Sequence, residues 1–346
     1  MHIGILAPIT HRIPPNSYGP WELIASQLAE GLVSRGIKVT LFATVDAKTS
    51  AHLHAVVPGA LAEHTSWPAR AWEQIHIGET LSAVHALKID LLHNHLNFWP
   101  LPFASLLSVP MLTTLHGAAM LEDDSRMVFE RYRHLPYVSI SHAERTAVPT
   151  LNYVANVYNG IDLSLFPFFP QGGESLLFLG RVSAAKGTDH AIELARRSGR
   201  RLIIAGPVPA SEKDFFEQKI RPHLDGQRII YVGTVDAQGR EHLFRETYAL
   251  LHLVRQPEPF GLVLIEAMAT GTPVIGLDRG AVREVVGPGQ GGFVVQNLEE
   301  AERALTNIDQ LNRQRIRERV ANHFTVDRMV DGYIQAYRTV LSTAKQ

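Results

Sequence analysis

Two glutamates eight residues apart, Glu258 and Glu266, stand in the stretch PEPFGLVLIEAMATGTPVIG, residues 257–276. Glu258 lies in a proline-bracketed loop and is expected to be exposed. Glu266 lies inside an otherwise apolar run. The spacing predicts a helix over FGLVLIEAMATG with Gly271 as its stop. That helix is apolar on every side except Glu266, so it is expected to be buried all round. A buried carboxylate without donors is costly, so Glu266 needs either a structural partner in the chain or a ligand. The N–H groups around Phe260, Gly261 and Leu262 open the helix and offer an anion site, and Gly261 has no side chain to block an approaching phosphate. Glu266 follows about four residues on, roughly 6 Å at the helical rise. Carboxylate, anion site and carboxylate then stand in line. A nucleotide-sugar has the matching order of sugar hydroxyls, diphosphate and ribose hydroxyls.

A second cluster is FLGRVSAAKG, residues 178–187. Arg181 and Lys186 follow a strand and precede a helix, where the ends of parallel strands face a ligand crevice. Two cations there could neutralise a diphosphate leaving group. Alone they read as solvated loop charges; beside the Glu258–Glu266 segment they read as a site. His93 and His95 alternate on a strand and share a face, but no third ligand at diagnostic spacing supports a metal. GPGQGG, residues 287–292, has the letters of a dinucleotide fingerprint in the wrong place, because a strand follows it rather than a helix. The chain contains no Walker sequence and no Asp-x-Asp pair.

The elements that must position these residues repeat. HIGILAP, KVTLFAT, DLLHNHL, MLTTLHG and YVSIS read as strands, and WELIASQLAEGLVSRG as a helix. The pattern then restarts with SLLFLGRV, RLIIAG, RIIYVGTV, YALLHLV, TPVIGL and GFVVQ. Continuous Val, Ile and Leu runs alternating with helices predict parallel sheets covered on both faces, in two Rossmann-like halves. The join is expected near residues 160–172, within NGIDLSLFPFFPQGGES. FTVDRMVDGYIQAYRTVL predicts one amphipathic C-terminal helix.

The bulk numbers agree with two domains: 346 residues, 45% hydrophobic and 19% charged. A formal net charge of −1 gives no electrostatic case for nucleic acid. No cysteine is present, which excludes disulfides, zinc-thiolate sites and a thiol nucleophile. Neither a secretory signal nor an apolar run of membrane-spanning length is read, and the expected location is cytoplasmic.

PEPFGLVLIEAMATGTPVI, FLGRVSAAKG and VYNGID together resemble the retaining glycosyltransferases of family 4, which have the GT-B fold. The family's E-x7-E motif is met by Glu258 and Glu266, and its arginine and lysine by Arg181 and Lys186. SYGPWE resembles the N-terminal glycine loop and supplies Gly19, with Pro20 and Trp21 departing from the pattern. TLHG resembles the strand-end histidine segment and supplies His116. Arg255–Gln256 stand where the family usually has Pro-Ser.

The resemblance implies an α/β fold of two Rossmann-like domains with parallel sheets facing a deep cleft. Residues 1–160, joined by the C-terminal helix at about 325–346, would form the acceptor side. Residues 161–324 would bind the donor. It implies transfer of a hexose from a UDP- or GDP-linked sugar to a small-molecule or glycan acceptor, without a metal or other cofactor. His116, Glu258, Arg181 and Lys186 would be catalytic. Gly19, Arg181, Lys186, Glu258, Phe260, Gly261, Leu262 and Glu266 would bind the donor, Glu258 at the sugar and Glu266 at the ribose. Weak peripheral membrane contact and a homodimer stay open. So do three alternatives: a sugar-nucleotide epimerase, a phosphorylase and a non-catalytic nucleotide-sugar binder.

Overall fold

A computed structural model describes residues 1–344 apart from Ser17 and Glu122. The chain divides into two compact units, Met1–Gly160 with Val326–Gln346, and Ile161–Thr325. Two halves, each with its own parallel sheet and helices, are what the strand and helix alternation predicts.

The first unit holds a seven-stranded parallel sheet. Its strands are β1 (His2–Leu6), β2 (Lys38–Thr44), β3 (His52–Val57), β4 (Leu91–Asn94), β5 (Met111–Thr114), β6 (Pro136–Ser139) and β7 (Asn152–Asn156), in the order β3-β2-β1-β4-β5-β6-β7. The central strands β1, β4 and β5 are buried along their whole length, as near-continuous apolar runs require. β3 and β7 were not expected from the sequence. They are edge strands, mostly half-buried, and HLHAVV and NYVAN mix polar with apolar residues, so neither carries the signal of a covered strand. The strand order reverses between β1 and β4. Their carboxyl ends, with that of β5, are in register through Leu6–Asn94 and Asn94–Thr113. Ligands of such sheets gather at this switch point, and the loops after these strands carry Gly19, His95 and His116.

The second unit holds a six-stranded parallel sheet: β8 (Ser175–Leu179), β9 (Leu202–Ala205), β10 (Ile229–Gly233), β11 (Thr247–His252), β12 (Val274–Leu277) and β13 (Gly292–Val295), ordered β10-β9-β8-β11-β12-β13. All six match the strand runs read from the sequence. The switch point lies between β8 and β11, whose following loops carry Arg181, Lys186 and Glu258. The glycines of GPGQGG run into β13, not into a helix.

The helix Pro20–Ser34 begins on Gly19 with proline in its first turn, where a missing N–H costs nothing. The C-terminal helix Val326–Thr343 belongs to the first unit. It buries Met329, Val330, Tyr333, Ala336, Tyr337 and Val340, a stripe of helical spacing. It packs on the Pro20–Ser34 helix and on β7. The Arg35 guanidinium donates to Asp327 at 2.8 Å and to Asp331 at 3.1 Å. Gly31 permits the close approach of the two helices, since a Cβ there would press directly on Val330 Cγ2.

That contact makes a prediction. Gly31→Ala should gain about 1 kcal/mol of helix propensity but lose about 1–3 kcal/mol to overpacking, so its urea midpoint should fall. Adding Val330→Ala should recover part of the loss, giving non-additivity in the cycle. A stabilised single variant, or strict additivity, would contradict the close approach.

Candidate active site

In the second unit the site is built on one carboxylate. Glu258 Oε2 accepts from Lys186 Nζ at 2.7 Å and meets His252 Nε2 at 3.1 Å. Oε1 has no hydrogen-bond partner among the described residues and is not fully enclosed. Glu258 is only 7% exposed, the same as Glu266. The expectation of an exposed Glu258 is thus corrected: its backbone is fixed between the end of β12 and Gly261, and the side chain turns inward onto two basic groups. Burial alone would raise its carboxyl, but the Lys186 ammonium and His252 outweigh burial and hold it down at about 2.

The local chain is shaped for this. Ala281 N–H donates to the Glu258 carbonyl at 2.7 Å, and Gly280 approaches the Glu258 backbone so closely that no Cβ fits. Lys186 is delivered by Gly187, a left-handed residue at φ 71 whose Cβ would overlap the Leu253 carbonyl oxygen. The two loops are clamped together by Arg255, whose guanidinium forks onto Asp189 at 2.8 and 2.6 Å. Arg255 N–H also donates to the Ala185 carbonyl at 2.9 Å. The residue that departs from the family's usual Pro-Ser therefore does a structural job here.

The helix is Leu262–Ala269, shorter than the run read from the sequence. Gly261 caps it in the left-handed region at φ 85, a conformation glycine adopts without a Cβ penalty. No backbone acceptor among the described residues takes the N–H of Gly261 or Leu262, so both keep the anion-binding character of a helix start. The Phe260 side chain is buried and packs edge-on against Phe324, ring centres 5.9 Å apart. At the other end, Arg317 caps the Ala269 carbonyl and Arg313 donates to the Gly271 carbonyl at 3.3 Å.

Glu266 has a partner that the sequence did not reveal. Arg240 Nη1, from the helix Ala237–Arg245, lies 3.4 Å from Glu266 Oε1, while Oε2 has no partner among the described residues. Burial raises the Glu266 carboxyl, and one distant arginine only partly opposes it. Arg181 is exposed and makes no ion pair among the described residues. It follows Gly180, whose N–H donates to the Ala205 carbonyl at 2.9 Å.

In the first unit Gly19 sits at φ 149, with Pro15, Glu22 and His11 around the place a Cβ would take. Glu22 is buried and accepts from His11 N–H at 3.0 Å, tying the loop after β1 to the helix. Trp21, where the family pattern is broken, stacks on His116 at 5.5 Å between centroids and 21° between planes. His116 is a non-glycine residue at φ 50. The buried Glu144 carboxylate accepts from Gly117 N–H next to it and from Ile140 N–H at 2.8 Å. Burial brings the His116 imidazole down to about 3, so it is neutral. His93 and His95 spend ring nitrogens on each other, on His116, on Thr114 and on Tyr337.

The two carboxylates should answer pH with opposite signs. Glu258 is depressed below its unfolded value, so its contribution to stability is full above that value and is lost as pH falls towards about 2. Glu266 is raised, so stability is lost as pH rises from the unfolded value through the folded one. At pH 8, without ligand, Glu258→Gln should lower the urea midpoint and Glu266→Gln should raise it. Equal signs would contradict this electrostatic description.

Two family models match the chain, Glycosyltransferase Family 4 over residues 22–165 and Glycosyl transferases group 1 over residues 166–323. D-inositol 3-phosphate glycosyltransferase of Mycolicibacterium smegmatis is 23% identical over 384 residues, covering 94% of this chain and 87% of that one. An uncharacterized 41.2 kDa protein in the cps region of Klebsiella pneumoniae is 28% identical over 172 residues, and the match spans less than half of either chain, 48% and 46%. The solved structure of Anabaena HepE in complex with UDP and glucose shares the fold with a TM-score of 0.74 at 18% identity, covering 98% of this chain and 99% of that one. With each half matched by a family model and the fold shared along the whole length, the chain belongs to glycosyltransferase family 4, transferases of the GT-B fold.

Proposed function

We propose that the protein moves a hexose from a UDP- or GDP-linked sugar to an acceptor hydroxyl, with retention at the anomeric carbon and without a divalent metal. The observation that carries this reading is the division of labour within Glu258: Oε2 is taken by Lys186 and His252, and Oε1 is left to accept from a sugar hydroxyl. A carboxylate held ionised beside a helix start and a lysine suits a donor whose hydroxyls and diphosphate lie side by side.

In this mechanism the bond from the anomeric carbon to the leaving phosphate oxygen breaks as the bond to the acceptor oxygen forms on the same face. The acceptor proton passes to the departing phosphate. The negative charge gathering there is met by Lys186, by Arg181 and by the N–H groups of Gly261 and Leu262. Glu266 Oε2 accepts from the ribose. Gly19 serves the donor, and His116 serves the sugar and the acceptor. HepE, solved with UDP and glucose, supports a nucleotide-sugar donor by analogy of fold. Among the described residues no helix is long and apolar enough to cross a membrane.

Three experiments test the reading. Lys186→Ala and Glu258→Ala should each lower turnover at least about tenfold with circular dichroism unchanged; wild-type rates from both would remove the site. In a thermal-shift panel UDP or GDP should raise the midpoint and ADP should not, as mass action requires of a specific ligand. Transfer should persist in chelator. Activity lost there and restored by magnesium or manganese would overturn the metal-free mechanism.

A further inference from the structure

A continuous line of buried hydrogen bonds ends on His116. Its Nε2 lies 2.8 Å from His95 Nδ1, and His95 Nε2 lies 3.1 Å from His93 Nδ1. His93 Nδ1 also meets Tyr337 Oη at 2.8 Å, and His93 Nε2 meets Thr114 Oγ1 at 2.8 Å. His93, His95, Thr114 and Tyr337 are fully buried. They come from β4 and the residue that follows it, from β5 and from the C-terminal helix, all within the first unit.

The hydrogen positions can be assigned from this network, because one member has no choice. The Tyr337 hydroxyl has His93 Nδ1 as its partner among the described residues, and burial keeps the phenol protonated. If His93 Nδ1 carried the proton, the phenol hydrogen would be stranded in a dry site, which costs more than a normal hydrogen bond contributes. Tyr337 therefore donates to His93 Nδ1. His93 must then be protonated on Nε2, where it donates to Thr114. His95 cannot present a lone pair to a lone pair, so its Nε2–H donates to His93 as the longer arm of a three-centre bond that shares the Nδ1 lone pair with Tyr337, and its Nδ1 accepts. By the same step His116 Nε2–H donates to His95. The proton of each ring is fixed by the one before it, starting from a tyrosine on the last helix.

We propose that Tyr337, His93 and His95 form a one-directional positioning relay that locks His116 as its Nε2-protonated tautomer, leaving Nδ1 as an acceptor for a substrate hydroxyl. Trp21 stacked on the ring holds its plane, so the lone pair has a fixed direction. The acceptor role of Nδ1 rests on the transfer reaction proposed above; the tautomer does not. Tyr333, on the same helix, packs its ring on His93 at 5.0 Å between centroids, but its hydroxyl meets Thr114 Oγ1 at 3.0 Å and bonds to no relay nitrogen among the described residues, so Tyr333→Phe, which keeps the ring, is the natural control.

The test is long-range proton–nitrogen NMR on the full chain labelled at histidine nitrogens, with the His116 ring assigned by comparison with His116→Gln. Wild type should show a neutral His116 protonated on Nε2. Tyr337→Phe should convert it to a mixture of tautomers or to the Nδ1–H form, and Tyr333→Phe should leave it unchanged. Turnover of Tyr337→Phe should fall with little change in KM for the donor, the split expected of a group acting only in the transition state. An Nδ1-protonated or charged His116 in wild type, or an unaltered tautomer in Tyr337→Phe, would overturn the relay. A tautomer that shifts while transfer is unchanged would keep the relay and remove His116 from the transfer chemistry.

Discussion

The second unit depends on keeping one carboxylate charged inside the protein. An ion that leaves water loses its hydration, and the loss is recovered only with well-placed partners. Glu258 has two on one oxygen, Lys186 and His252. Much of the surrounding backbone follows from this. Gly187 is left-handed because Lys186 must turn towards β11. Gly261 is left-handed because the chain must turn from Glu258 into the helix. Gly280 has no side chain because its neighbour's backbone fills that space. Arg255 and Asp189 then fasten the lysine loop to the glutamate loop, so the pair is held in place by bonds that never touch it.

Glu266 shows the contrasting solution. It sits on a regular helix, where its position is rigid but its surroundings are apolar, and a single arginine reaches it at 3.4 Å. The same residue type therefore has opposite charge preferences eight positions apart. One carboxylate is ready as a permanent anion beside cations. The other is under-supplied with donors. The difference comes from the number and distance of partners, since both are equally buried.

Glu258, Glu266, Arg181 and Lys186 were legible as candidates because they lie at short spacing in two segments, and the six strands of the second unit because they are continuous apolar runs. It could not show His252 or Arg240. His252 reads as one polar letter closing a strand, and Arg240 sits in a polar helix 26 residues before its partner. The inward turn of Glu258 was hidden for a related reason: flanking prolines look like a surface loop, and only the packing of residues 279–281 against the backbone shows otherwise. His93 and His95 could be placed on one face by their period of two, but their partner on that face, Tyr337, is 244 residues away in sequence. Edge strands β3 and β7 were missed because half-exposed strands lack the apolar signature.

Along the line that ends on His116 the first unit handles polarity with neutral groups. Its buried polar line consists of neutral imidazoles and hydroxyls, and burial keeps the His116 ring neutral. His116 also adopts a left-handed backbone that costs an L-residue roughly 1–2 kcal/mol. That cost is offset locally: Glu144 takes the Gly117 N–H, Trp21 covers the ring, and His95 takes Nε2–H. Strain of this kind persists only where neighbours over-determine it. A glycine at 116 would relieve the backbone and abolish the ring. The chain instead keeps a histidine in a glycine's conformation and surrounds it with partners that fix the direction of the imidazole.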